Sequence, residues 1–482
     1  MLSTHLTSMH APHLCIVAVA AGLFGTGCST PCEGAGCGAL YPRASVGLFR
    51  EATLRAAEVD ALSPDAALST RDADGYDWAL VGASGGLAAG VPAADEVRWY
   101  DAAAFGAGGD PTRTLTGEGA GARFGAAVAV GRGPDGAERL IVGAPERGAG
   151  AGYAGAGAVL LYEGVGATLA EADAPRVVLG QAAEDHFGEG VWACGDLDGD
   201  GTDDWAASAP WSDAGGSSLG GSLVLGLSSV SPPAGAISSA DLPALHGDSS
   251  GAGFGAAVIC GASLDGDTLP ELIVGAPHAD PFLRENGGAV TIRTAPVDAG
   301  ARPTLTLLGD EASASFGAAL AVGDLDGDGV NELAVGAPDL DSGLTANAAG
   351  AVYLYDGQAL AAALTTGVAP DAAGVKVLRG ASPFGRFGAA LTLADLDGDG
   401  LGDLVVGAPG THESAATRAG AATVWWGPHD AWPDTQASTD APLTIAADRQ
   451  YLETGGVLAT TDLDGTGLAQ LVLLTRVASN LE

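Results

Sequence analysis

A short apolar segment that ends in small residues recurs along the chain, and this repeat restricts the possible folds more than any other feature. The residues in its glycine position are 82, 143, 208, 275, 336, 407 and 474, at steps of 61 to 71 residues. Such a period indicates one supersecondary unit that is stacked several times. The copies read WALVGAS at 78–84, LIVGAP at 140–145 and 272–277, WAASAP at 205–210, LAVGAP at 333–338, LVVGAP at 404–409 and LVLLTR at 471–476.

Each unit predicts four short strands. An alanine-rich run comes first (near 66–68 in the first unit), and the recurring segment is the second strand. Four strands in about 65 residues, repeated seven times, are typical of a seven-bladed β-propeller, with the small side chains of the first strand nearest the axis. Third strands are predicted at 157–162, 288–293, 350–355 and 420–426, and fourth strands at 176–180, 304–309 and 375–380.

The seventh unit is too short for four strands, because few residues follow its second strand. A surplus lies at the other end of the chain, in residues 44–58, where 45–49 resembles a third strand and 53–56 a fourth. An unpaired hairpin would expose two strand edges. The sequence therefore predicts an all-β fold whose last blade is composite and closed by the N-terminal segment. An amphipathic linker helix at 44–58 is the alternative.

Carboxylates recur at fixed spacing in the turn between the first and second strands. In residues 324–332, Asp324, Asp326, Asp328 and Glu332 occupy positions 1, 3, 5 and 9. Ligands that are all oxygen favour Ca²⁺. An EF-hand would need Glu at position 12, where Val335 lies in a predicted strand, so this loop joins two strands. With position 7 giving a backbone carbonyl, the predicted ligands are Asp196, Asp198, Asp200, Thr202, Asp204, Ser263, Asp265, Asp267, Leu269, Glu271, Asp324, Asp326, Asp328, Val330, Glu332, Asp395, Asp397, Asp399, Leu401 and Asp403.

These ligands predict three to four Ca²⁺ sites, because Ser263 replaces the first carboxylate of the fourth unit and weakens that site. The alternative for each loop is a solvated acidic turn without an ion. The corresponding loops of units one, two and seven have lost the pattern, and Arg132 and Arg139 stand in ligand positions of unit two. We expect no tight calcium binding in these three units.

The combination of FG, DxDGDG and VGAP segments over residues 44–482 resembles the FG-GAP repeats of the integrin α-subunit propeller. This resemblance implies seven blades, with Ca²⁺ loops on one face and ligand-contacting loops on the other. The sequence shows no counterpart of the integrin leg domains or transmembrane helix, so the specific partners of integrins are not carried over.

The chain of 482 residues carries 59 acidic and 20 basic side chains, for a net charge of −39. So negative a surface argues against nucleic acid or an anionic membrane as a partner. Disorder is the alternative suggested by 77 glycines, but 47% hydrophobic residues in regular alternation favour a packed core.

The N-terminus resembles a bacterial lipoprotein signal, because the apolar run 14–24 is followed by Gly25, Thr26, Gly27 and Cys28. We expect a signal peptide at 1–27, a flexible tether at 28–43 with lipid on Cys28, and the propeller at 44–482. An ordinary secretory signal is the alternative, since the first twelve residues contain no Lys or Arg. This predicts an exported monomer in the bacterial cell envelope, at the outer membrane or cell surface, that meets the membrane only through its anchor.

The remaining cysteines give one open question and one negative expectation. Cys32 and Cys37 lie close together in the tether and could pair. Cys194 and Cys260 precede their turns by two and three residues, so strict strand alternation would point them in opposite directions. We therefore expect no bond between Cys194 and Cys260.

The function that the sequence favours is a calcium-stabilised, non-catalytic adhesion module that binds a protein or glycan. A structural role in an envelope assembly is the alternative, and a hydrolase or lyase site on the propeller face is a further one. HExxH and CxxC motifs do not occur in the sequence. Candidate ligand-face residues in the loops after the second strands are Arg147, Trp211, Asp213, His278, Arg284, Asp339, His412 and Arg418.

Overall fold

In the computed structural model, the regular secondary structure of the described residues is almost wholly short β-strands. It describes residues 2–6, 15–19, 45–47, 79–83, 86–91, 94–101, 112–117, 121–133, 138–148, 154–163, 176–228, 237–281, 284–297, 304–341, 347–370, 374–412, 419–447, 454–461 and 469–474.

The strands in the first half of the chain are five or six residues long in most cases. They are β1 (Leu2–Leu6), β2 (Cys15–Val19), β3 (Ser45–Gly47), β4 (Ala79–Ala83), β5 (Gly86–Val91), β6 (Glu96–Asp101), β7 (Arg113–Thr116), β8 (Ala127–Arg132), β9 (Glu138–Ala144), β10 (Ala158–Glu163), β11 (Arg176–Leu179), β12 (Val191–Gly195), β13 (Asp204–Ala209), β14 (Ser222–Gly226), β15 (Ile237–Ser238) and β16 (Ala244–His246).

The later units follow the same plan and contain the α-helix of the described residues, α1 (Gly357–Thr366), besides 3-10 turns at Ser239–Asp241, His429–Ala431 and Ser438–Asp440. Their strands are β17 (Ala257–Ala262), β18 (Glu271–Ala276), β19 (Ala289–Arg293), β20 (Thr304–Leu308), β21 (Ala319–Gly323), β22 (Glu332–Ala337), β23 (Ala351–Tyr355), β24 (Val375–Arg379), β25 (Ala390–Ala394), β26 (Asp403–Ala408), β27 (Ala421–Trp425), β28 (Thr435–Ala437), β29 (Leu443–Ala447), β30 (Val457–Thr461) and β31 (Gln470–Leu474).

Hydrogen bonds join these strands into sheets of four or five. Neighbours within a unit are antiparallel, as expected for strands joined by short turns, and β15 and β28 add parallel strands to the outer edge of the preceding sheet. The strand orders are β4-β5-β6-β7, β8-β9-β10-β11-β15, β12-β13-β14-β16, β17-β18-β19-β20, β21-β22-β23-β24-β28, β25-β26-β27-β29-β1 and β30-β31-β2-β3.

The predicted third strands are confirmed as β10, β19, β23 and β27, and the predicted fourth strands as β11, β20 and β24, which pair with the first three of them. The partner of β27 is β29, which the sequence had not indicated. All residues of β13, β18, β22 and β26 are buried. These second strands are covered on both faces, which places the cores between neighbouring sheets. Phe124, Phe187, Phe316 and Phe387 lie just before the first strands and are each 1% exposed in those cores.

Neighbouring sheets touch through backbone atoms at one repeated position. A Cβ added to Gly143 would lie 2.0 Å from the carbonyl oxygen of Gly188 in the next unit, and Gly336 and Gly388 repeat this contact at 2.1 Å. Because no larger side chain fits such an approach, glycine recurs there.

This contact corrects one strand assignment. In the first unit Gly90 makes it, whereas the sequence had placed Gly82 there, since a Cβ on Gly90 would lie 2.0 Å from the carbonyl oxygen of Gly125. The second strand is therefore β5, and β4, which includes most of the predicted second strand 78–84, lies at the edge of its sheet and contacts β8 and β30. The prediction failed because two successive runs of small and apolar residues both fit the motif. The predicted first strand at 66–68 lies outside the described residues.

The first strands of successive sheets contact one another. The contacting pairs are β4 and β8, β8 and β12, β12 and β17, β17 and β21, β21 and β25, β25 and β30, and β30 and β4. This radial arrangement of sheets is consistent with a β-propeller.

The sheet that contains β30 and β31 also contains two strands from the other end of the chain. Cys15–Val19, within the predicted signal, pairs in parallel with β31, and Ser45–Gly47 lies beyond it at the outer edge. The sequence placed 45–49 third rather than fourth in this sheet, and 53–56 lies outside the described residues. The linker-helix alternative does not hold for Ser45–Gly47, which is extended.

A disulfide joins Cys194 to Cys260, so the expectation of no bond is wrong. The two residues lie on β12 and β17, the first strands of neighbouring sheets. Register shifts occur between Ala193 and Gly195 and between Ile259 and Ala262, at the two cysteines themselves. Such bulges break strand alternation, which invalidates the argument from a period of two. Cys32 and Cys37 lie outside the described residues.

Among the described residues, no helix combines the length and apolar character that a membrane crossing requires.

Candidate metal centres

Four acidic loops connect first and second strands, as the sequence predicted. Residues 196–204 join β12 to β13, 263–271 join β17 to β18, 324–332 join β21 to β22, and 395–403 join β25 to β26. Strands flank each loop, so an EF-hand helix pair is excluded for these four segments. They are called the acidic loops below.

Within loop 324–332 the carboxylates are held by backbone N–H groups. Asp324 accepts hydrogen bonds from Gly327 (2.7 Å) and Gly329 (3.1 Å), and Asp328 accepts one from Val330 (2.8 Å). Gly327 and Gly329 have φ of +81° and +86°, which other residues adopt at a cost. Position 1 of loops 196–204 and 395–403 accepts the same pair of bonds, from Gly199 and Gly201 and from Gly398 and Gly400.

The last acid of every loop is buried beneath the turn. Glu271 is 0% exposed, Glu332 and Asp403 are 1% and Asp204 is 2%. One oxygen of each accepts a hydrogen bond of 2.6–2.8 Å from the N–H of position 2, a fully buried leucine. The turn is thus fixed to the sheet core by its ninth residue.

The second oxygen of the last acid meets the residue two positions after the third strand. Ser228 donates to Asp204, Gly357 to Glu332 and Gly427 to Asp403, at 2.7–3.2 Å. In the fourth unit this bond is missing, and Glu271 Oε1 is buried with no hydrogen-bond partner among the described residues. A buried, unpartnered carboxylate oxygen is costly unless a cation lies beside it.

Burial also raises the pKa values of these carboxyl groups. The pKa is about 8 for Glu332, about 7 for Glu271 and Asp403, and about 6 for Asp204. In all four, desolvation is the largest cause, and neighbouring aspartates of the same loop raise the pKa further. A bound cation would offset both effects.

The ligand atoms are close enough to surround one ion. In each acidic loop, one carboxylate oxygen from each of three residues lies within 4.8 Å of the others. All of these donors are oxygen, which fits Ca²⁺. The groups are Asp196, Asp198 and Asp204; Asp265, Asp267 and Glu271; Asp324, Asp326 and Glu332; and Asp395, Asp397 and Asp399.

Adjacent acidic loops are connected to one another by their eighth and first residues. The Asn331 side chain donates to the Ser263 carbonyl (2.7 Å), and the Gly402 N–H donates to the Asp324 carbonyl (2.7 Å). At the corresponding place in units two and three, the Arg132 N–H donates to Asp203 (3.3 Å). The loops 263–271, 324–332 and 395–403 therefore form a connected series across neighbouring sheets.

The predicted ligand-face residues follow the second strands, at the end opposite the acidic loops. Glu332 begins β22, and Asp339 lies just past its last residue, Ala337, about 20 Å along the strand direction. Trp211 is 44% exposed, and His278 and His412 are exposed.

Several other ligand-face candidates support their own loops. Asp339 accepts hydrogen bonds from Ser315 (2.8 Å) and Arg386 (3.1 Å). Asp213 accepts one from the Leu219 N–H (2.6 Å). Arg284 donates to the Gly309 carbonyl at 3.4 Å, Arg147 is half-buried, and Arg418 lies outside the described residues.

The degenerate loops are only partly described. Arg139 is 6% exposed within β9, and Arg132 ends β8. The loops of units one (70–78) and seven (462–468) lie outside the described residues, as does Cys28. Binding in those loops and lipidation therefore stay predictions.

Sequence reasoning missed His429, which is 1% exposed and lies beside Asp326 and Glu332 of another unit. It also missed the backbone donors Ser228, Gly357 and Gly427. The three donors share a position two residues after the third strand, so an alignment of the units could have identified that position. His429 has no such repeated counterpart.

Two segments of the chain, residues 316–355 and 387–425, match the FG-GAP repeat model. They contain the acidic loops 324–332 and 395–403. This match supports FG-GAP repeats in the fifth and sixth units, which the sequence motifs had indicated.

Among curated proteins, the chain is similar to phosphatidylinositol-glycan-specific phospholipase D of Rattus norvegicus, at 35% identity over 33% of this chain and 18% of the relative. It is also similar to integrin alpha-4 of Xenopus laevis, at 36% identity over 33% of this chain and 14% of the relative. Integrin alpha-IIb of Mus musculus is 35% identical over 36% of this chain and 17% of the relative. The chain thus spans less than a fifth of these relatives, and together the matches support an integrin-like FG-GAP protein.

Proposed function

We propose that this integrin-like FG-GAP chain is a calcium-stabilised, non-catalytic binding module of the adhesion type. The main support for this proposal is the set of four acidic loops, each of which has a buried carboxylate at position 9 and carboxylate oxygens close enough to bind one cation. The carboxylates of each loop repel one another and burial desolvates the last one, so a cation that balances this charge would stabilise the loop.

Calcium would stabilise more than the individual turns. Because Asn331 and Gly402 connect one loop to the next, ordering one loop also fixes the position of its neighbour. Three or four sites, each worth about 2.7 kcal/mol at a hundredfold excess of ion over its dissociation constant, would then hold adjacent sheets together.

In this proposal the fold is a seven-bladed propeller with a composite last blade. The contacts of the first strands support it, since they run from sheet to sheet and return from β30 to β4. The bound partner is a protein or a glycan, held by the varied loops at the end opposite the calcium. Exposed Trp211, His278 and His412 are the contact candidates there.

Export to an oxidising compartment is part of the proposal. The Cys194–Cys260 disulfide supports it, because such bonds persist mainly outside the cytoplasm. We further propose a lipid on Cys28 that holds the chain at the bacterial envelope. Metabolic labelling with a fatty acid analogue tests this, and equal labelling of the parent and Cys28→Ser would refute it.

Calcium titration of the full chain tests the main proposal. We expect at least three bound ions and a higher melting temperature in Ca²⁺ than in EDTA. Asp399→Asn should lose one ion, whereas Asp241→Asn, which removes an equal charge from an exposed 3-10 turn, should keep all of them. Equal melting of the parent in Ca²⁺ and in excess EDTA would contradict the proposal. A glycan and protein array, read with and without EDTA, then seeks the partner and separates adhesion from a purely structural role.

The phospholipase D relatives favour one second candidate, a hydrolase. They match this chain over only 18% of their own length, so their activity is carried over as a hypothesis alone. Release of product from a phosphodiester substrate by the purified chain would support this alternative.

A further inference from the structure

His429 is a buried histidine that the calcium loops do not need. It begins the 3-10 turn after β27, and its side chain is 1% exposed. It faces the acidic loop of the preceding unit, 324–332, and the start of α1. The Trp432 ring meets the imidazole edge to face, at a centroid distance of 6.4 Å.

Four carboxylates surround the imidazole without bonding to it. Nδ1 lies 3.8 Å from Asp326 Oδ2 and 4.0 Å from Glu332 Oε2, and Nε2 lies 3.9 Å from Asp356 Oδ2 and 4.0 Å from Asp430 Oδ1. Hydrogen bonds require about 3 Å. Nδ1 is buried with no hydrogen-bond partner in the described part of the chain.

Two of these carboxylates each turn a second oxygen toward the ring. Asp326 Oδ1 accepts the Asp328 N–H, and Asp356 Oδ1 caps α1 by accepting the Ala359 N–H. Their Oδ2 atoms are the ones nearest the imidazole. One ligand atom from each of Asp326, Asp356 and His429 lies within 4.8 Å of the other two.

Asp326 and Asp356 are nearest to different ring nitrogens, but one nitrogen and one oxygen of each aspartate lie within 4.8 Å of one another. Such separations are too long for hydrogen bonds and are close to those of ligands that share an ion. Two ligands bound to Zn²⁺ at about 2.0–2.2 Å lie about 3–4 Å apart in a tetrahedral site. Imidazole and carboxylate together favour Zn²⁺, whereas Ca²⁺ prefers oxygen alone.

We propose that His429, Asp326 and Asp356 form a Zn²⁺ site beside the acidic loop 324–332. The neutral imidazole supplies one nitrogen, the two aspartates supply one oxygen each, and water completes the coordination. The ion would connect the loop of the fifth unit, the cap of α1 and the turn of the sixth unit. Only Asp326 is shared with the predicted calcium ligands, so the site does not depend on the proposed adhesion function.

The experiment is a Zn²⁺ titration of the full chain in millimolar CaCl₂, read by calorimetry and by Co²⁺ absorption. We expect one bound Zn²⁺ and a tetrahedral Co²⁺ spectrum. His429→Gln and Asp356→Asn should each weaken Zn²⁺ binding at least tenfold, as loss of a ligand does. Asparagine caps a helix as well as aspartate, so Asp356→Asn should keep α1 and the calcium count. His278→Gln, at an exposed histidine, is the matched control and should bind as the parent does.

Parent-like Zn²⁺ affinity in Asp356→Asn would overturn the proposal, as would equal losses in His278→Gln and His429→Gln. Zn²⁺ binding that Asp326→Asn abolishes but His429→Gln leaves intact would place the ion in the calcium loop and refute it too. If His429→Gln does not fold, as judged by its melting curve, the Asp356→Asn result decides. Loss of the Zn²⁺ site with calcium binding unchanged separates this proposal from the calcium proposal.

Discussion

Removal of the Cys194–Cys260 disulfide should destabilise the whole domain. The bonded residues are 66 positions apart, which corresponds to a loop-closure entropy of about 15 cal/mol/K, or about 4 kcal/mol at 25 °C. Unfolding of roughly 440 residues carries an entropy near 0.9 kcal/mol/K. Cys194→Ala/Cys260→Ala should therefore melt about 5 °C below the parent if the domain unfolds cooperatively.

Differential scanning calorimetry in saturating Ca²⁺ measures this shift, after peptide mapping has verified the bond in the parent. The reduced parent protein should have the same melting temperature as the double variant. The control variant Cys32→Ala/Cys37→Ala removes two cysteines from the predicted tether and should have the same melting temperature as the oxidised parent. A double variant at Cys194 and Cys260 that melts within about one degree of the parent would refute the argument that this bond constrains the unfolded chain.

Three further predictions concern the loops, the sheet contacts and the last sheet. In the calcium-free chain, burial raises the pKa of Asp403 to about 7 and that of Glu332 to about 8. Protonation of these two carboxyl groups therefore stabilises the folded state. This contribution is fully present below the pKa values of the unfolded chain and is lost as pH rises through 7 to 8. The gain in melting temperature from Ca²⁺ should therefore be larger at pH 8 than at pH 5.5, and equal gains would contradict this. Gly90→Ala should destabilise by about 1–3 kcal/mol, as much as Gly143→Ala, because each added Cβ meets a carbonyl oxygen at 2.0 Å. A parent-like denaturation midpoint for Gly90→Ala would contradict the assignment of Gly90 to the glycine position of the second strand and would favour Gly82 instead. Deletion of 44–58 should lower the melting temperature of the entire domain, and a parent-like melt would exclude a strand from that segment.

Much of the fold follows from the sequence because each repeat is defined by residues that are close together in the chain. The acidic spacing of 324–332 predicted both the loop and its neighbouring strands, since oxygen ligands and positive φ glycines must occur at fixed intervals. The pairing of β23 with β24 followed from alternation in the same way. These features depend on residues that are close in the chain.

The errors arose where local patterns were ambiguous or interrupted. Residues 79–83 and 86–91 are both short runs of small and apolar residues, and only the contact between Gly90 and Gly125 distinguishes them. Cys194 and Cys260 lie at bulges, which the sequence does not mark. His429 and Asp326 belong to different units, so no spacing along the sequence predicts that they lie close together.

The glycine contact between sheets has a consequence for how such a chain can change over time. Gly143 and Gly188 meet through main-chain atoms, so the joint between neighbours requires a small residue at one position but no matched pair of side chains. Ser208 holds the same position in the third unit, where Gly255 lies next to it. Units joined in this way are interchangeable parts. Duplication, loss or exchange of a whole unit preserves the joint, while the exposed loops of each copy are free to diverge.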